Sequence, residues 1–135
     1  MALVTWSESF SVGVRSIDGQ HTVLFDTIND LHSAMMKGQA RAKVGELLRT
    51  LLAYTRNHFS AEEAIMEDAK YPGLATHRIE HRKLTKQVEE YVDRYQQGDF
   101  TLSLDLADFL SNWLKNHILS RDQSYRPWLH EHGVS

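Results

Sequence analysis

Apolar residues recur at three- and four-residue steps in four stretches of the chain, which is the spacing of an amphipathic α-helix. Asp18 is the predicted N-cap of the first stretch, and Gly38 is its predicted C-cap. The sequence Tyr71-Pro72-Gly73 interrupts the pattern between the second and third stretches. The pattern predicts helices over residues 18–38, 41–68, 74–98 and 103–117.

Residues 1–17 precede the first predicted helix and lack its spacing. Trp6, Phe10 and Val12 stand among polar residues, a pattern typical of an extended arm that lies over a core. Because the connections between the predicted helices are short, consecutive helices must fold back on one another. The sequence therefore predicts an all-α fold, an up-down-up-down four-helix bundle with an extended N-terminal arm, in which residues 1–135 form a single domain.

Composition narrows the class of protein. The chain has 135 residues, a formal net charge of −3 and no cysteine. The lack of cysteine excludes disulfides and thiolate metal sites, and the charge provides no basic field for nucleic acid. The sequence has no run of about 18 apolar residues and no leader-like N-terminus. We expect a soluble, cytoplasmic monomer that does not insert into a membrane.

Histidine is unusually frequent, with eight residues in the chain. Five of them fall on the inward faces of the predicted helices together with two carboxylates. Several are four residues apart, so that each pair projects from one face of a helix. The inward set is His21, His58, Glu62, His77, His81, His117 and Asp122. The other three are expected at the surface: His32, which lies off the inward stripe, and His130 and His132, in a polar tail.

A metal centre explains the inward set better than a hydrogen-bonded core. A lone inward histidine is usually a hydrogen-bonded core residue, but five buried imidazoles beside two carboxylates would carry a large desolvation cost. Nitrogen and carboxylate ligands suit iron, and also manganese, zinc, nickel or copper. Seven ligands are too many for one ion. Two six-coordinate ions that share both carboxylates and one oxygen bridge keep one open position, which predicts a binding site for a small ligand.

The five-residue separation of His117 and Asp122 does not fit a regular α-helix. At 100° per residue, the two side chains would point in directions about 140° apart. Both can reach a common metal only if the helix is irregular between them. We therefore predict a π-type bulge or a helix end between Ile118 and Asp122.

The order of the inward residues resembles the hemerythrin family, and in particular its single-domain bacterial members. The resemblance rests on His21, His58-x3-Glu62, His77-x3-His81 and His117-x4-Asp122, and it spans nearly the whole chain. Neighbouring residues also match, namely Trp6, Val12-Gly13, Ile17-Asp18-x-Gln20, Asn29-x-Leu31 and Trp113-Leu114.

The resemblance implies two non-haem irons with a bridging oxo or hydroxo group. By the resemblance, one iron is held by His77, His81 and His117, and the other by His21 and His58. Glu62 and Asp122 would bridge the two irons. The iron with two histidines is then five-coordinate, and dioxygen would bind there reversibly as a hydroperoxide.

Apolar side chains are expected around the open position. They lie beside the predicted ligands in the sequence: Leu24, Phe59, Trp113, Leu114 and Ile118. A dry wall of this kind offers no acid to protonate a peroxide, so reversible binding is favoured over oxidation. Tyr125 follows Asp122 by three residues and is a candidate hydrogen-bond donor to a ligand, although a packing role fits equally well.

The resemblance favours a carrier or store of dioxygen that is not an enzyme. One alternative is a sensor of dioxygen or redox state, which is less favoured because no signalling segment adjoins the predicted bundle in this sequence. The other is a di-iron enzyme that acts on dioxygen, peroxide or NO, which is less favoured because no free acid or base stands near the site. Dioxygen is the expected ligand, and an O2-consuming enzyme is a candidate recipient.

Overall fold

The computed structural model describes residues 4–38, 41–98 and 103–135, which contain helices and no strand. A π-helical segment, His117–Asp122, joins the last two α-helices end to end. The α-helices are α1 (Arg15–Met36), α2 (Arg41–Asp68), α3 (Leu74–Gln96), α4 (Ser103–Asn116) and α5 (Gln123–Glu131). The predicted all-α fold is confirmed.

The helices form a four-helix bundle in which α4, the π segment and α5 together make the fourth helix. α1 packs against both α2 and α4, and α2 packs against α3. Ring contacts tie α3 to the fourth helix: the centroids of Tyr91 and Phe109 are 6.1 Å apart, and those of His81 and His117 are 5.3 Å apart. The up-down-up-down arrangement predicted from the short connections is confirmed.

The predicted helix ends are mostly confirmed, with two corrections. α2 spans the predicted residues, and Gly38 has a φ of +64°, the left-handed conformation that ends α1. The prediction of Asp18 as N-cap is wrong, because α1 begins at Arg15. The second concerns the C-terminal tail, where His130 and His132 are exposed as predicted, but α5 continues to Glu131.

Asp18 has a different local role, because its carboxylate fixes the N-terminal arm. It accepts hydrogen bonds from Ser11 Oγ at 2.6 Å and from the Val12 backbone N–H at 2.9 Å. The carbonyl oxygen of Ser11 in turn accepts bonds from Gln123 Nε2 at 2.8 Å and Arg126 Nη1 at 2.9 Å. The arm is therefore tied to the first and last helices at once.

The start of the described arm is fixed in a similar way. The side chain of Asn29 accepts a bond from the Val4 N–H at 3.0 Å and donates one to the Val4 carbonyl at 2.7 Å. The arm also contains a short 3-10 turn, Glu8–Phe10, which the sequence pattern does not predict. Phe10 packs its ring at right angles to Phe25 of α1, with centroids 5.1 Å apart.

Two apolar clusters fill the bundle, one on each side of the level at which the seven predicted ligands lie. The large cluster contains Leu24 and Ile28 of α1, and its other members include Leu48, Leu51, Phe59, Leu84, Val88, Leu110, Leu114 and Ile118. The small cluster consists of the buried residues Val12, Val14, Ile17, Met66, Ala69, Tyr125 and Leu129, with Tyr71 and Trp128 packed against it. On every helix, the predicted ligands lie between the members of these two clusters.

Candidate metal centre

All seven predicted ligands meet in the polar layer between the two clusters. α1 contributes one histidine, α2 a histidine and a glutamate, α3 two histidines, and the π segment a histidine and an aspartate. Each is buried, with no more than 6% of its surface exposed. We call this set the polar layer: His21, His58, Glu62, His77, His81, His117 and Asp122.

Glu62 lies at the centre of the polar layer, and its two oxygens face different histidines. Oε1 is 2.9 Å from His77 Nε2 and 3.2 Å from His81 Nε2. Oε2 is 3.4 Å from His21 Nε2 and 3.3 Å from His58 Nε2. One carboxylate thus contacts histidines from three helices.

Asp122 divides its oxygens in the same way. Oδ1 is 2.8 Å from His77 Nε2 and 3.0 Å from His117 Nε2, whereas Oδ2 is 3.2 Å from His21 Nε2. The polar layer therefore consists of a three-histidine group (His77, His81, His117) and a two-histidine group (His21, His58). Each carboxylate presents one oxygen to each group.

The polar layer fits a metal centre because several of its inward polar atoms make no hydrogen bond. The Nε2 atoms of His21, His81 and His117 and Oδ2 of Asp122 are buried without a hydrogen bond. Buried polar atoms are normally hydrogen-bonded, so several such atoms in one layer are typical of a cation site. The candidate ligand atoms of one group all lie within 4.8 Å of one another: Glu62, His77, His81, His117 and Asp122. The candidate ligand atoms of His21, His58 and Glu62 also lie within 4.8 Å of one another.

Three outer side chains orient the histidines. Gln20 Oε1 lies 2.6 Å from His58 Nδ1, and Glu63 Oε2 lies 2.9 Å from His81 Nδ1. Glu80 Oε2 is 3.6 Å from His117 Nδ1. A proton on Nδ1 that faces such an oxygen leaves the lone pair on Nε2 free for a metal.

Sequence reasoning missed the orienting role of these three residues. Each directly adjoins a residue of the polar layer in the sequence: Gln20 precedes His21, Glu63 follows Glu62, and Glu80 precedes His81. A polar residue next to a predicted ligand is the signal that could have found them.

The carboxylates are strongly held in their charged forms. Burial opposes the charge on Glu62, but contacts with the surrounding histidines outweigh it and hold its pKa well below the ordinary value. For Asp122, burial and the charge of Glu62 raise the pKa, but His117 and His21 outweigh them and the net shift is downward. Two charged carboxylates in a closed interior require positive charge beside them.

In the metal-free chain, two histidines supply part of that positive charge. Burial lowers the pKa of His21 and of His77, but the adjacent carboxylates of Asp122 and Glu62 raise each to about 9. Burial dominates at His58 and lowers its pKa. Glu62 and Asp122 thus favour protonation of His21 and His77, the two histidines that contact both carboxylates. The same negative charges would attract a metal cation.

The predicted helix irregularity is confirmed. The segment His117–Asp122 is π-helical, which absorbs the extra residue and brings both ends to the polar layer. Ser120 Oγ donates to the Asn116 carbonyl at 2.6 Å, and Ser124 Oγ donates to the Ser120 carbonyl at 2.8 Å. Such bonds to the preceding turn commonly accompany a bent helix.

A small apolar cavity of about 20 Å³ lies in the large cluster beside the polar layer. This volume has room for about one small molecule. The lining residues are Leu24, Ile28, Leu51, Thr55, Phe59, Leu84, Leu110, Trp113 and Leu114. Four of the five predicted pocket residues are among them. Ile118 is fully buried in the large cluster but does not line the cavity.

Two aromatic rings of the cavity stack directly on histidines of the three-histidine group. Phe59 is stacked on His81 with centroids 3.7 Å apart and planes 3° apart. Trp113 is stacked on His117 at 4.5 Å and 12°. The cavity and the polar layer therefore share a wall, and a ligand in the cavity would be close to the candidate centre.

Tyr125 contacts the polar layer from the opposite side, within the small cluster. Its hydroxyl donates to Glu62 Oε2 at 3.3 Å, and the ring is completely buried. Burial, together with the charges of Glu62 and Asp122, raises the pKa of Tyr125 well above its ordinary value, so the phenol keeps its proton and remains a donor.

Comparison with known proteins agrees with this geometry. The profile of the hemerythrin HHE cation binding domain matches residues 12–129. The chain belongs to the hemerythrin family. The chain is 40% identical over 132 residues to a bacteriohemerythrin of Stenotrophomonas maltophilia, covering 98% of this chain and 85% of the relative. It is 35% identical to a bacteriohemerythrin of Methylococcus capsulatus, covering 96% of this chain and 98% of the relative.

Crystal structures of hemerythrin also match the chain. A wild-type hemerythrin superposes with a TM-score of 0.90 at 34% identity, covering 95% of this chain and 98% of the other. A variant with one leucine replaced by alanine superposes equally well, with the same TM-score of 0.90. The polar layer is thus a cluster of histidines and carboxylates that fits a non-haem iron site. In the described residues, no helix combines the length and apolar character needed to span a membrane.

Proposed function

We propose that this protein binds dioxygen reversibly, as a carrier or store, at two non-haem irons held by the polar layer. The observation that carries the proposal is the division of oxygens at Glu62 and Asp122. Because each carboxylate offers one oxygen to each histidine group, the pair has the arrangement of two bridging ligands between two metals.

The donor count supports two irons of unequal coordination. His77, His81 and His117 would hold one iron, and His21 and His58 the other. With both carboxylates and an oxo or hydroxo bridge shared, the two-histidine group leaves one position open for a ligand. When bound, the iron pair supplies the electrons for reversible dioxygen binding.

The residues around the cavity favour binding over turnover. The described residues that line it are aliphatic or aromatic except for the hydroxyl of Thr55, and none is a carboxylate, histidine, lysine or arginine. A general acid within reach of the ligand would be needed to assist cleavage of an O–O bond. Such a wall excludes water and leaves release of dioxygen as the favoured outcome. We propose on this ground that the chain is not an enzyme.

Metal analysis combined with visible spectroscopy tests the proposal. Iron-loaded protein is reduced without oxygen, exposed to air and then flushed with argon. We expect about two irons per chain and an oxy absorption that appears in air and disappears under argon over several cycles. Iron near one per chain, or a single irreversible bleaching, would contradict the proposal. Steady consumption of dioxygen with a supplied reductant would favour an enzyme instead.

A further inference from the structure

A chain of aromatic contacts connects the polar layer to the surface through the small cluster. Tyr125, which donates to Glu62, has its ring 6.3 Å from that of Tyr71, at 82°. Tyr71 lies 6.4 Å from Trp128, at 62°. Trp128 stacks on the exposed His132, with centroids 4.3 Å apart and planes 18° apart. Burial decreases along this chain: Tyr125 is fully buried, whereas Tyr71 and Trp128 are half-buried.

We propose that Tyr125, Tyr71 and Trp128 form an electron relay that carries oxidising equivalents from the iron site to the protein surface. We call these three residues the aromatic relay. The proposal rests on the proposed iron site and adds a protective function to it. Electrons drawn through the relay reduce the oxidised site before its own residues are damaged. The oxidised residue is then one near the surface, Trp128, which a reductant in solution can reduce again.

The chemistry of the three side chains carries the proposal. Tyrosine and tryptophan are the aromatic residues that lose an electron most readily. Electron tunnelling weakens exponentially with distance, so several short steps between contacting rings are faster than one long step. All ring separations in the aromatic relay lie within the range of direct aromatic contact.

The opposite side of the polar layer has one oxidisable ring in its cavity wall. Apart from Trp113, the described residues of this wall are aliphatic side chains, Thr55 and Phe59, which resist one-electron oxidation. Trp113 is half-buried and stacks on His117, and its ring centroid is 6.1 Å from that of Phe59. Trp113 is therefore the competing site of oxidation, and the location of the radical distinguishes it from the aromatic relay.

Hydrogen peroxide, the two-electron reduction product of dioxygen, is the oxidant for which the relay is proposed. In a slow side reaction that the cavity wall does not assist, one molecule of peroxide takes up two electrons and two protons at the site, its O–O bond breaks, and two waters leave. The electrons arrive one at a time: Tyr125 gives up an electron, Tyr71 restores Tyr125, and Trp128 restores Tyr71. A soluble one-electron reductant such as ascorbate then restores Trp128. The two protons come from solvent.

The hydrogen bonds of the relay allow each ring to be oxidised and restored. The phenolic proton of Tyr125 shifts toward Glu62 Oε2 when the ring loses an electron, and it returns when the ring is reduced. Tyr71 is half-buried and can exchange its proton with water. The indole N–H of Trp128 donates to the Ala69 carbonyl at 2.7 Å, which holds the ring in place.

Peroxide treatment of the iron-loaded protein tests the relay. Samples are frozen rapidly for electron paramagnetic resonance, and parallel samples are digested so that mass spectrometry can locate oxidised residues. We expect a tryptophan radical and oxidation at Trp128 in the wild type, both suppressed by ascorbate. In Tyr71→Phe, which keeps the ring and removes the phenol, we expect loss of Trp128 oxidation and a radical that remains on Tyr125.

Two controls complete the experiment. Tyr91→Phe makes the same change at a tyrosine that contacts Phe109 instead of the relay, and it should leave Trp128 oxidation unchanged. Iron-free wild-type protein should show no oxidation of Trp128 above background. Wild-type levels of Trp128 oxidation in Tyr71→Phe, or a radical located on Trp113, would overturn the relay.

Iron content and the reversible oxy spectrum are measured on the same samples. Protein that holds two irons and cycles with dioxygen, but forms no radical on the aromatic relay, would reject the relay and leave the proposed function standing. Protein that takes up no iron would reject both.

Discussion

The two apolar clusters differ in chemistry although they pack against the same polar layer. The large cluster faces it with leucines and isoleucines, the rings of Phe59 and Trp113 and a cavity of about 20 Å³. The small cluster faces it with the hydroxyl of Tyr125, behind which lie a buried methionine and the rings of Tyr71 and Trp128. One side offers a small molecule a space without acids, and the other offers the carboxylate a hydrogen bond.

This difference shows that the same helices can serve two purposes on the two sides of one site. Both clusters stabilise the bundle by burying apolar surface. Stability alone does not require either cluster to be aliphatic or aromatic. The side of the large cluster is suited to a ligand that must leave unchanged, since no carboxylate, histidine, lysine or arginine is among the described residues that line its cavity. The side of the small cluster, with the hydroxyl of Tyr125, is suited to hydrogen bonding and, in the proposed relay, to electron transfer.

The largest effect is expected from removing the carboxylate that separates the two clusters. Glu62→Gln takes away the charge that contacts both histidine groups, so we expect loss of iron from the protein. Glu63→Gln is the matched control at the next position. It weakens the support of His81 and the ion pair with Arg78 but leaves the polar layer itself unchanged, so we expect retention of both irons with an affinity about 10- to 100-fold lower. Metal analysis after dialysis against a graded series of chelator concentrations distinguishes the two variants.

Retention of two irons by Glu62→Gln would contradict the assignment of Glu62 as a bridge. Equal loss of iron in both variants would show that the outer hydrogen bond matters as much as the ligand itself.

Metal removal should reverse the pH dependence of stability. In the metal-free chain, the pKa values of His21 and His77 are raised from 6.5 to about 9. Their contribution to the free energy of unfolding is therefore fully present below pH 6.5 and is lost as the pH rises through about 9. We expect the Tm of the metal-free protein to fall by several degrees across this interval. His58, whose pKa is lowered, is neutral throughout it.

The iron-loaded protein should behave in the opposite way. Its histidines must be neutral to bind metal, so its Tm should hold between pH 6.5 and 9 and fall on acidification as iron is lost. Parallel calorimetric scans of the two forms check this. A metal-free protein whose Tm rises from pH 6.5 to 9 would contradict the electrostatic account of the polar layer.

A feature could be predicted from the sequence when it depends on the spacing of residues along one helix. The seven residues of the polar layer follow from helical periodicity, and the π segment follows from the five-residue separation of His117 and Asp122. The cavity residues Leu84 and Leu110 were missed because only packing between helices brings them to Leu24. Asp18 was misassigned because its bonds to the arm depend on tertiary structure.

A matched pair of leucines compares the two clusters directly. Leu114 lines the cavity, whereas Leu129 is fully buried in the small cluster. Either change to alanine should lower the free energy of unfolding by about 2 to 5 kcal/mol, because each leaves a hole in a packed core. Only Leu114→Ala should speed autoxidation, since it opens the dry wall to water beside the polar layer. Loss of the oxy absorption in air, measured at equal iron loading, gives the two rates.

Equal autoxidation of Leu114→Ala and wild type would show that Leu114 is ordinary core. Faster autoxidation of Leu129→Ala than of Leu114→Ala would reverse the roles assigned to the two clusters.

Anomalous diffraction at the iron absorption edge, on crystals of the iron-loaded protein, tests most directly the claim that the polar layer holds two irons between the clusters. We expect two separate peaks, both between Glu62 and Asp122, one beside His77, His81 and His117 and the other beside His21 and His58. A single peak, or iron bound outside the polar layer, would contradict the account.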